Sequence, residues 1–139
     1  MSRVMGLDVG NKTIGVALSD PMFLLANALE TIKRKKASTD IERIKEIVEE
    51  NDVNLIVVGL PKNMNNTIGP QAMRVISFVD LLKKQVDVEV VYEDERMTTI
   101  QSEAVLMDME VRRENRKKYI DKIAATFILQ TYLDRRKNG

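Results

Sequence analysis

Cysteine and histidine are both missing from this 139-residue sequence. Without cysteine, neither disulfides nor thiolate metal sites can form. Without histidine, the chain has no imidazole to act as a general base, a zinc ligand or a member of a catalytic triad. Any catalysis must therefore depend on carboxylate, hydroxyl, amine, guanidinium or phenol groups.

Long apolar runs and a strong net charge are missing as well. No apolar run approaches the length needed to span a bilayer, and the first residues enter a strand pattern instead of a signal peptide. We therefore expect a cytoplasmic protein that contacts no membrane. The formal net charge of +1 at pH 7 argues against a strongly basic nucleic-acid-binding protein. The length predicts a single domain, residues 1–139.

Basic residues are nevertheless concentrated in three short runs. These runs consist of Lys33–Lys36, of Arg112, Arg113, Arg116, Lys117 and Lys118, and of Arg135–Lys137. Separate basic patches can bind a polyphosphate while the molecule as a whole stays nearly neutral. Solvated helix ends and loops would give the same pattern, so both interpretations stay open.

Apolar periodicity predicts an α/β domain with the element order β-β-β-α-β-α-β-α-α. The predicted strands are residues 4–8, 13–19, 28–33, 55–58 and 86–92. The predicted helices begin at a capping box of Thr39 and Glu42, at Pro70, near Thr98 and at Tyr119, and residues 112–118 form an exposed connector. A hairpin followed by alternating strands and helices requires antiparallel and parallel pairing in one sheet. The pattern therefore predicts a mixed sheet with helices on both faces.

Asp8 closes the first apolar strand and is the first candidate functional residue. In α/β folds, ligands bind at the carboxyl edge of the strands. Gly6 and Gly10 leave room there for a backbone or a phosphate to come close. The alternative is that Asp8 only caps the turn that follows it.

Asp121 shares one helical face with Ala124, Ala125 and Ile128. Because this face is apolar after its first residue, we expect Asp121 to point toward the sheet, and the two alanines let the helix approach closely. A buried carboxylate needs a partner such as a metal ion, a lysine or an arginine. In the alternative interpretation, the helix begins at Lys122 and Asp121 is its N-cap.

Three adjacent acids, Glu93, Asp94 and Glu95, follow the last predicted strand. Like charges at this spacing repel one another unless cations are nearby, and Arg96 supplies one. Strand alternation would put Glu93 and Glu95 on one side and Asp94 on the other. A solvated strand end is the alternative interpretation.

Carboxylates from these three places would together form an oxygen-only metal site. In a chain without histidine and cysteine, converging Asp and Glu oxygens favour a hard cation, Mg²⁺ or Mn²⁺. Ions held in this way can activate a water molecule and stabilise the leaving oxygen of a phosphodiester. The basic runs and the polar loop at 59–69 would position a nucleic-acid backbone. The residues therefore predict a metal-dependent nuclease.

Four parts of the sequence resemble the YqgF family, whose members are also called RuvX, pre-16S rRNA nuclease or Holliday junction resolvase-like proteins. They are residues 6–15 (GLDVGNKTIG), 59–64 (GLPKNM) with 69–72 (GPQA), 94–99 (DERMTT) and 121–125 (DKIAA). They occur in the order typical of the family and span nearly the whole chain.

The resemblance implies a ribonuclease H-like fold, a five-stranded mixed sheet in the order 3-2-1-4-5, and a role in maturing the 5′ end of small-subunit ribosomal RNA. It implies that Asp8, Glu95 and Asp121 carry the catalysis and bind the metal, with Asp94 as a further candidate ligand. Gly59 stands where many nucleases of this fold carry a carboxylate, so the second ligand must come from the neighbouring strand. We expect substrate contacts from a mainly basic set of residues: Lys12, Asn63, Arg96, Arg112, Arg113 and Arg116.

Three alternatives stay open from the sequence alone. The first is a Holliday junction resolvase-like DNA endonuclease. The second is a phosphotransferase, because Asp8, Gly10 and Thr13 are similar to the first phosphate-binding loop of actin-like and sugar kinases, although those proteins use two such domains. The third is a non-catalytic module that binds RNA, the ribosome or the transcription machinery. In each case we expect a monomer or a weak dimer.

Overall fold

The computed structural model describes residues 2–61, 69–94 and 113–138, with side chains described within 2–61, 69–93 and 123–136. In these ranges the chain forms five strands and three helices. The strands are β1 (Arg3–Val9), β2 (Thr13–Ser19), β3 (Ala26–Lys33), β4 (Val53–Leu60) and β5 (Glu89–Asp94). The helices are α1 (Ala37–Glu50), α2 (Pro70–Lys83) and α3 (Arg113–Asn138).

The strands form one sheet in the order β3-β2-β1-β4-β5. β1 is antiparallel to β2, with Asp8 opposite Gly15, and β2 is antiparallel to β3. β4 is parallel to β1, and β5 is parallel to β4. The predicted mixed sheet and its strand order are therefore confirmed.

Helices α1 and α2 cover one face of the sheet. Every second residue of β1, namely Met5, Leu7 and Val9, packs in the same buried cluster as Ile44 of α1 and Val79 of α2. The intervening residues of β1 therefore face the other side of the sheet, because side chains alternate along a strand.

Helix α3 covers that other side. Val4 of β1 and Val57 of β4 form a second buried cluster with Ala125, Ile128 and Leu129 of the helix. The predicted apolar face of the last helix is confirmed, since Ala125 and Ile128 are fully buried. Helices therefore lie on both faces of the sheet, as the element order predicts.

β4 lies between β1 and β5 and is covered from both sides. Ile56 and Val58 belong to the cluster beneath α1 and α2, whereas Leu55 and Val57 belong to the cluster beneath α3. This explains the uninterrupted apolar run in its sequence, which is typical of parallel strands with helices on both faces.

The predicted capping box at Thr39 is wrong. Helix α1 begins two residues earlier, at Ala37, with Lys36 as its N-cap. The N-cap makes no side-chain hydrogen bond to the first turn. The buried carboxylate of Asp40 instead accepts the backbone N–H of Lys35 at 3.1 Å and so fixes the segment that leads into the helix.

The predicted connector at 112–118 is also wrong for the part that the structure describes, because α3 begins at Arg113. Arginine, lysine and glutamate are good helix formers, so a charged run does not end a helix. β3 begins at Ala26 and β5 at Glu89, which shifts two strand boundaries. The helix predicted from Thr98 lies outside the described residues. No helix within the described ranges is both long and apolar enough to cross a membrane.

Candidate active site

Asp8 lies on β1 one residue beyond the point at which Leu7 pairs with Val58 of the parallel strand β4. Its neighbours Leu7 and Val9 belong to the cluster beneath α1 and α2. Because side chains alternate along a strand, Asp8 faces α3, and it is partly exposed. Asp8 is therefore at the carboxyl end of a parallel strand pair, where ligands of α/β folds bind.

Gly6 brings α3 against β1 on this same face. A Cβ atom placed on Gly6 would lie 2.8 Å from Cβ of Leu129 and 2.9 Å from the carbonyl oxygen of Ala125. Any other residue would force the helix away from the sheet. The sequence predicts that Gly6 leaves room for a backbone or a phosphate, and the structure shows that the backbone of α3 approaches there. The expected close approach at the two alanines is confirmed, since Ala124 is 1% exposed and Ala125 is 0% exposed.

Gln130 provides a second contact that locates α3 on the sheet, after the contact at Gly6. Its side-chain oxygen accepts the backbone N–H of Ala26 at 2.8 Å. Ala26 pairs with Ser19 at the end of β2, and the Ser19 hydroxyl accepts the N–H of Val4 at 2.8 Å. Gln130 therefore lies over β3, at the end of the sheet where β1 starts.

These two points give the direction of α3. Ala125 lies over Gly6, and Gln130 lies nearer the start of the strand, so α3 runs antiparallel to β1. One helical turn back from Ala125 is Asp121. The backbone of α3 thus carries Asp121 toward the end of β1 at which Asp8 lies.

Glu93 on β5 pairs with Gly59 on β4. Adjacent strands are spaced about 4.8 Å apart, so the ends of β1 and β5 are separated by about 10 Å across β4. Gly59 contributes no side chain between them. The neighbouring strand therefore carries an acid at the level where β4 has none, as the resemblance implies.

An ion pair connects Glu93 to α3. Glu93 is 5% exposed, and Nη1 of Arg135 donates to its Oε1 at 2.8 Å. Nη2 of the same guanidinium lies 2.5 Å from Oε2, and the guanidinium also lies over the ring of Tyr132 at 6.0 Å. Two-point contacts of this kind are strong and directional. The pair therefore holds the end of β5 against the helix that carries Asp121.

Arg34 supports the turn between β1 and β2. Its guanidinium donates to the carbonyl oxygen of Gly10 at 2.9 Å and to Asp40 at 3.3 Å, and it lies 5.0 Å from the centroid of the Phe78 ring. Its backbone N–H donates to the carbonyl oxygen of Lys12 at 2.9 Å. Arg34, a member of the first basic run, therefore stabilises this turn, and the exposed Lys12 lies beside it.

Four predicted site residues have described backbone positions but no described side chains. Asp94 is the last residue of β5, and Arg113 and Arg116 belong to the first turns of α3. Asp121 is well inside this helix, so the interpretation of Asp121 as an N-cap is wrong. Among the side chains that the structure describes, no group of three or more potential metal ligands is found. Of the predicted ligands, only Asp8 is among those side chains.

The remaining predicted site residues, Asn63, Glu95, Arg96 and Arg112, lie outside the described ranges. Two contacts are not predictable from the sequence. Arg96 is the cation adjacent to the acidic cluster in sequence, whereas the contact that the structure shows is made by Arg135. Arg34 is recognisable from the sequence only as part of a charged run. Nothing in the local pattern distinguishes either arginine from its neighbours, because their partners are distant in sequence.

Solved structures share this fold. RuvC of T. thermophilus in complex with a Holliday junction substrate superposes with a TM-score of 0.63 at 16% identity, covering 99% of this chain and 97% of that chain. The resolvase of fowlpox virus in complex with Holliday junction DNA gives a TM-score of 0.56 at 14% identity, with 96% and 98% coverage. At such identities the likeness shows the fold alone, and it confirms the predicted ribonuclease H-like architecture.

Curated relatives are much more similar in sequence. Proteins named "Putative pre-16S rRNA nuclease" from Thermoanaerobacter pseudethanolicus (51% identical over 137 residues, 98% of this chain and 99% of that protein) and Clostridioides difficile (52% identical over 137 residues, 99% and 97%) are two of them. The family model described as RuvX, Holliday junction resolvase, matches residues 2–135. The predicted family and the predicted enzyme class, a nuclease, are confirmed. With a match over nearly its whole length, this chain belongs to the RuvX family.

Proposed function

We propose that this chain is a metal-dependent nuclease that hydrolyses phosphodiester bonds during maturation of the 5′ end of the small-subunit ribosomal RNA precursor. The observation that carries the proposal is the packing of α3 on Gly6, because it brings Asp121 toward the end of β1 that carries Asp8. The names of the relatives support the choice of substrate. A cytoplasmic location is part of the same proposal, since ribosomal RNA precursors are processed there in bacteria.

The donor groups at this end of the sheet suit a divalent cation. Asp8, Asp121 and an acid from the end of β5 would offer carboxylate oxygens only, which are the ligands that Mg²⁺ and Mn²⁺ prefer. We assign the third position to Glu95 in preference to Asp94. The reason is that Glu93 contacts α3, and strand alternation puts the residue two positions later on the same side.

The chain's own residues then have separate tasks. The carboxylates of Asp8, Glu95 and Asp121 would hold the ion, and their negative charge would make the site selective for cations. When bound, a divalent cation supplies an activated water and stabilises the charge on the leaving oxygen. Ammonium and guanidinium groups bind the phosphates of the substrate without reading its sequence. We assign this role to the predicted contact residues: Lys12, Asn63, Arg96, Arg112, Arg113 and Arg116.

Resolution of Holliday junctions is the second candidate function, and the description of the matching family favours it. Both reactions hydrolyse a phosphodiester and need the same acids, so they differ in the substrate alone. A module that binds RNA, the ribosome or the transcription machinery without cutting would need no converging carboxylates. The three candidates are therefore separable by cleavage and binding assays with one set of variants.

The test compares the wild type with Asp8→Asn on a ribosomal RNA precursor fragment that retains its 5′ leader, with Mg²⁺ or Mn²⁺. We expect the wild type to shorten the RNA and Asp8→Asn to cleave it at no more than about one hundredth of the wild-type rate. RNA binding should be nearly unchanged, since the substitution removes a charge that repels phosphate. Asp52→Asn is the matched control, because Asp52 is exposed at the other end of the sheet and asparagine tolerates its φ of 55°.

A four-way DNA junction is the parallel substrate in this experiment. Cleavage of the junction alone would overturn the ribosomal RNA assignment in favour of the resolvase. Unchanged cleavage by Asp8→Asn would show that the acids at this edge are not the catalytic ones. Tight RNA binding by the wild type without any cleavage would favour the non-catalytic module.

A further inference from the structure

A groove between α1 and α2 opens on the face of the sheet opposite α3. It consists of two adjoining cavities of about 350 Å³ and 410 Å³, and Leu81 of α2 lines both. Ile41 of α1 lines the first cavity and Phe78 of α2 lines the second. The groove lies on the opposite face of the sheet from Asp8, and its second cavity extends to Arg34, beside the turn that carries Lys12.

The groove has an apolar floor and exposed apolar walls. Ile41 and Phe78 are 4% and 3% exposed, whereas Leu81 is 45% exposed and Met73 is 56% exposed. Met73 and Leu81 are eight residues apart on one helix and therefore lie on the same side of it. Large apolar side chains grouped along a concave surface typically mark a binding surface.

The rim of the groove is positively charged. Lys45 and Lys84 line the first cavity and Arg74 lines the second, whereas Glu42 is the one acid among the lining residues that the structure describes. The charge of Arg34, which also lines the second cavity, is offset by its ion pair with Asp40.

The acid on α2 faces away from this rim. Asp80 lies near Tyr92 of β5, and burial together with the Asp80 charge raises the pKa of the Tyr92 hydroxyl. Lys83 lies over the same ring at 5.8 Å from its centroid. The two flanks of α2 therefore differ, and the flank toward α1 keeps its positive charge.

We propose that this groove binds an acidic amphipathic helix of a partner protein. Its apolar side chains would enter the two cavities on either side of Leu81, and its carboxylates would face Lys45, Arg74 and Lys84. Helix-in-groove recognition uses this combination of apolar anchors and complementary charge. A nucleic acid fits less well, because Phe78 is buried beneath Arg34 and offers no open ring for base stacking.

The proposal does not depend on the identity of the nuclease substrate. Because the groove and the candidate active site lie on opposite faces of the sheet, a docked helix leaves the catalytic edge accessible. Leu81→Asp and Lys84→Glu leave Arg34 and the turn at Lys12 unchanged, so both variants are expected to cleave a short substrate at the wild-type rate while they lose the partner.

The test is a titration of methyl-labelled full-length protein, followed by NMR. The probe is a synthetic acidic helical peptide with leucines along one face, and a scrambled peptide of the same composition and a single-stranded RNA serve as comparisons. We expect saturable shifts at the methyl groups of Ile41, Met73 and Leu81 with the helical peptide only. Leu81→Asp and Lys84→Glu should each weaken its binding about tenfold or more.

Leu24→Asp is the matched control for Leu81→Asp. Leu24 is 49% exposed, and its carbonyl oxygen accepts a hydrogen bond from Gln130 of α3, which places it away from the groove. Leu24→Asp should bind the helical peptide with the same affinity as the wild type. The proposal would be overturned by equal binding of the scrambled peptide or by the same shifts from RNA at lower concentration. It would also be overturned by concentration-dependent shifts without any probe, or by the absence of a saturable shift.

Discussion

Arg135 and Glu93 join the last helix to the last strand of the sheet through a two-point ion pair. The carboxylate is 5% exposed, whereas the side chain of the arginine is 63% exposed. A buried carboxylate is costly unless a cation compensates it, so this contact stabilises α3 near β5 in addition to the packing of Val91 beneath the helix. The two elements joined in this way are those that carry Asp121 and the acids Glu93 and Asp94.

Arg135→Gln is predicted to lower the free energy of unfolding by about 2 kcal/mol, because it removes the cation from a buried carboxylate. We also expect slower cleavage, since the elements that carry the proposed ligands would no longer be held together. Chemical denaturation and a cleavage assay measure the two effects.

The matched control for this prediction is Arg136→Gln, since Arg136 is the next residue on α3 and lies 5.0 Å from the centroid of the Phe23 ring. It should cost about 0.5 kcal/mol. Replacing both Arg135 and Glu93 by glutamine should recover much of the stability, because no charge is then left in the interior. Equal losses in Arg135→Gln and Arg136→Gln would contradict the role of the ion pair.

Gly6→Ala is predicted to destabilise the protein by about 1–3 kcal/mol, because the added methyl group overlaps Leu129 and Ala125 of α3. Since the helix must shift, we expect the cleavage rate to fall even though no acid is changed. Gly10→Ala is the comparison, because among the described residues its Cβ atom would meet only the carbonyl oxygen of Thr13, at 3.0 Å. If the two variants were equally stable and equally active, the packing of α3 on Gly6 would not position the site.

Asp20 organises the loop between β2 and β3, and a pH-dependent stability follows from it. Its carboxylate accepts the backbone N–H of Leu25, and also those of Leu24 and Met22, which lowers its pKa below the ordinary value of 3.8. An acid whose pKa is lowered by folding stabilises the protein above its unfolded pKa, and this contribution disappears as the pH falls through the folded pKa.

Asp20→Asn should therefore be less stable than the wild type at neutral pH. The difference should shrink once the pH is lowered below about 3.8, because the wild-type carboxylate is then also neutral. Thermal melts of both proteins over a series of pH values provide the measurement. A difference that stays constant over the whole acid range would refute the assignment.

Binding of a divalent cation should stabilise the folded protein, since a ligand that binds only the native state raises the free energy of unfolding. We expect Mg²⁺ or Mn²⁺ to raise the Tm of the wild type and of Asp52→Asn, and chelation to reverse the effect. Asp8→Asn should lose most of this increase. This readout does not require cleavage, so an equal increase in Asp8→Asn would show directly that Asp8 is not a ligand.

The sequence predicted features that depend on local periodicity, such as the apolar face from Ala124 to Ile128 and the doubly covered strand β4. It was less reliable where the determining partner is distant in the chain. The space at Gly6 was expected to admit a backbone or a phosphate, and the sequence does not show that the backbone of α3 at Ala125 is what lies there. Likewise, composition favoured an exposed connector at 112–118, although its charged residues are good helix formers.

The order of the elements along the chain has a consequence for biosynthesis. β1 carries Asp8 and is translated before α3, which carries Asp121 and follows the five described strands. Until α3 emerges from the ribosome, Val4, Val57 and the other apolar residues beneath it are uncovered in the nascent protein. A partial chain without α3 therefore also lacks one of the acids proposed to hold the metal ion.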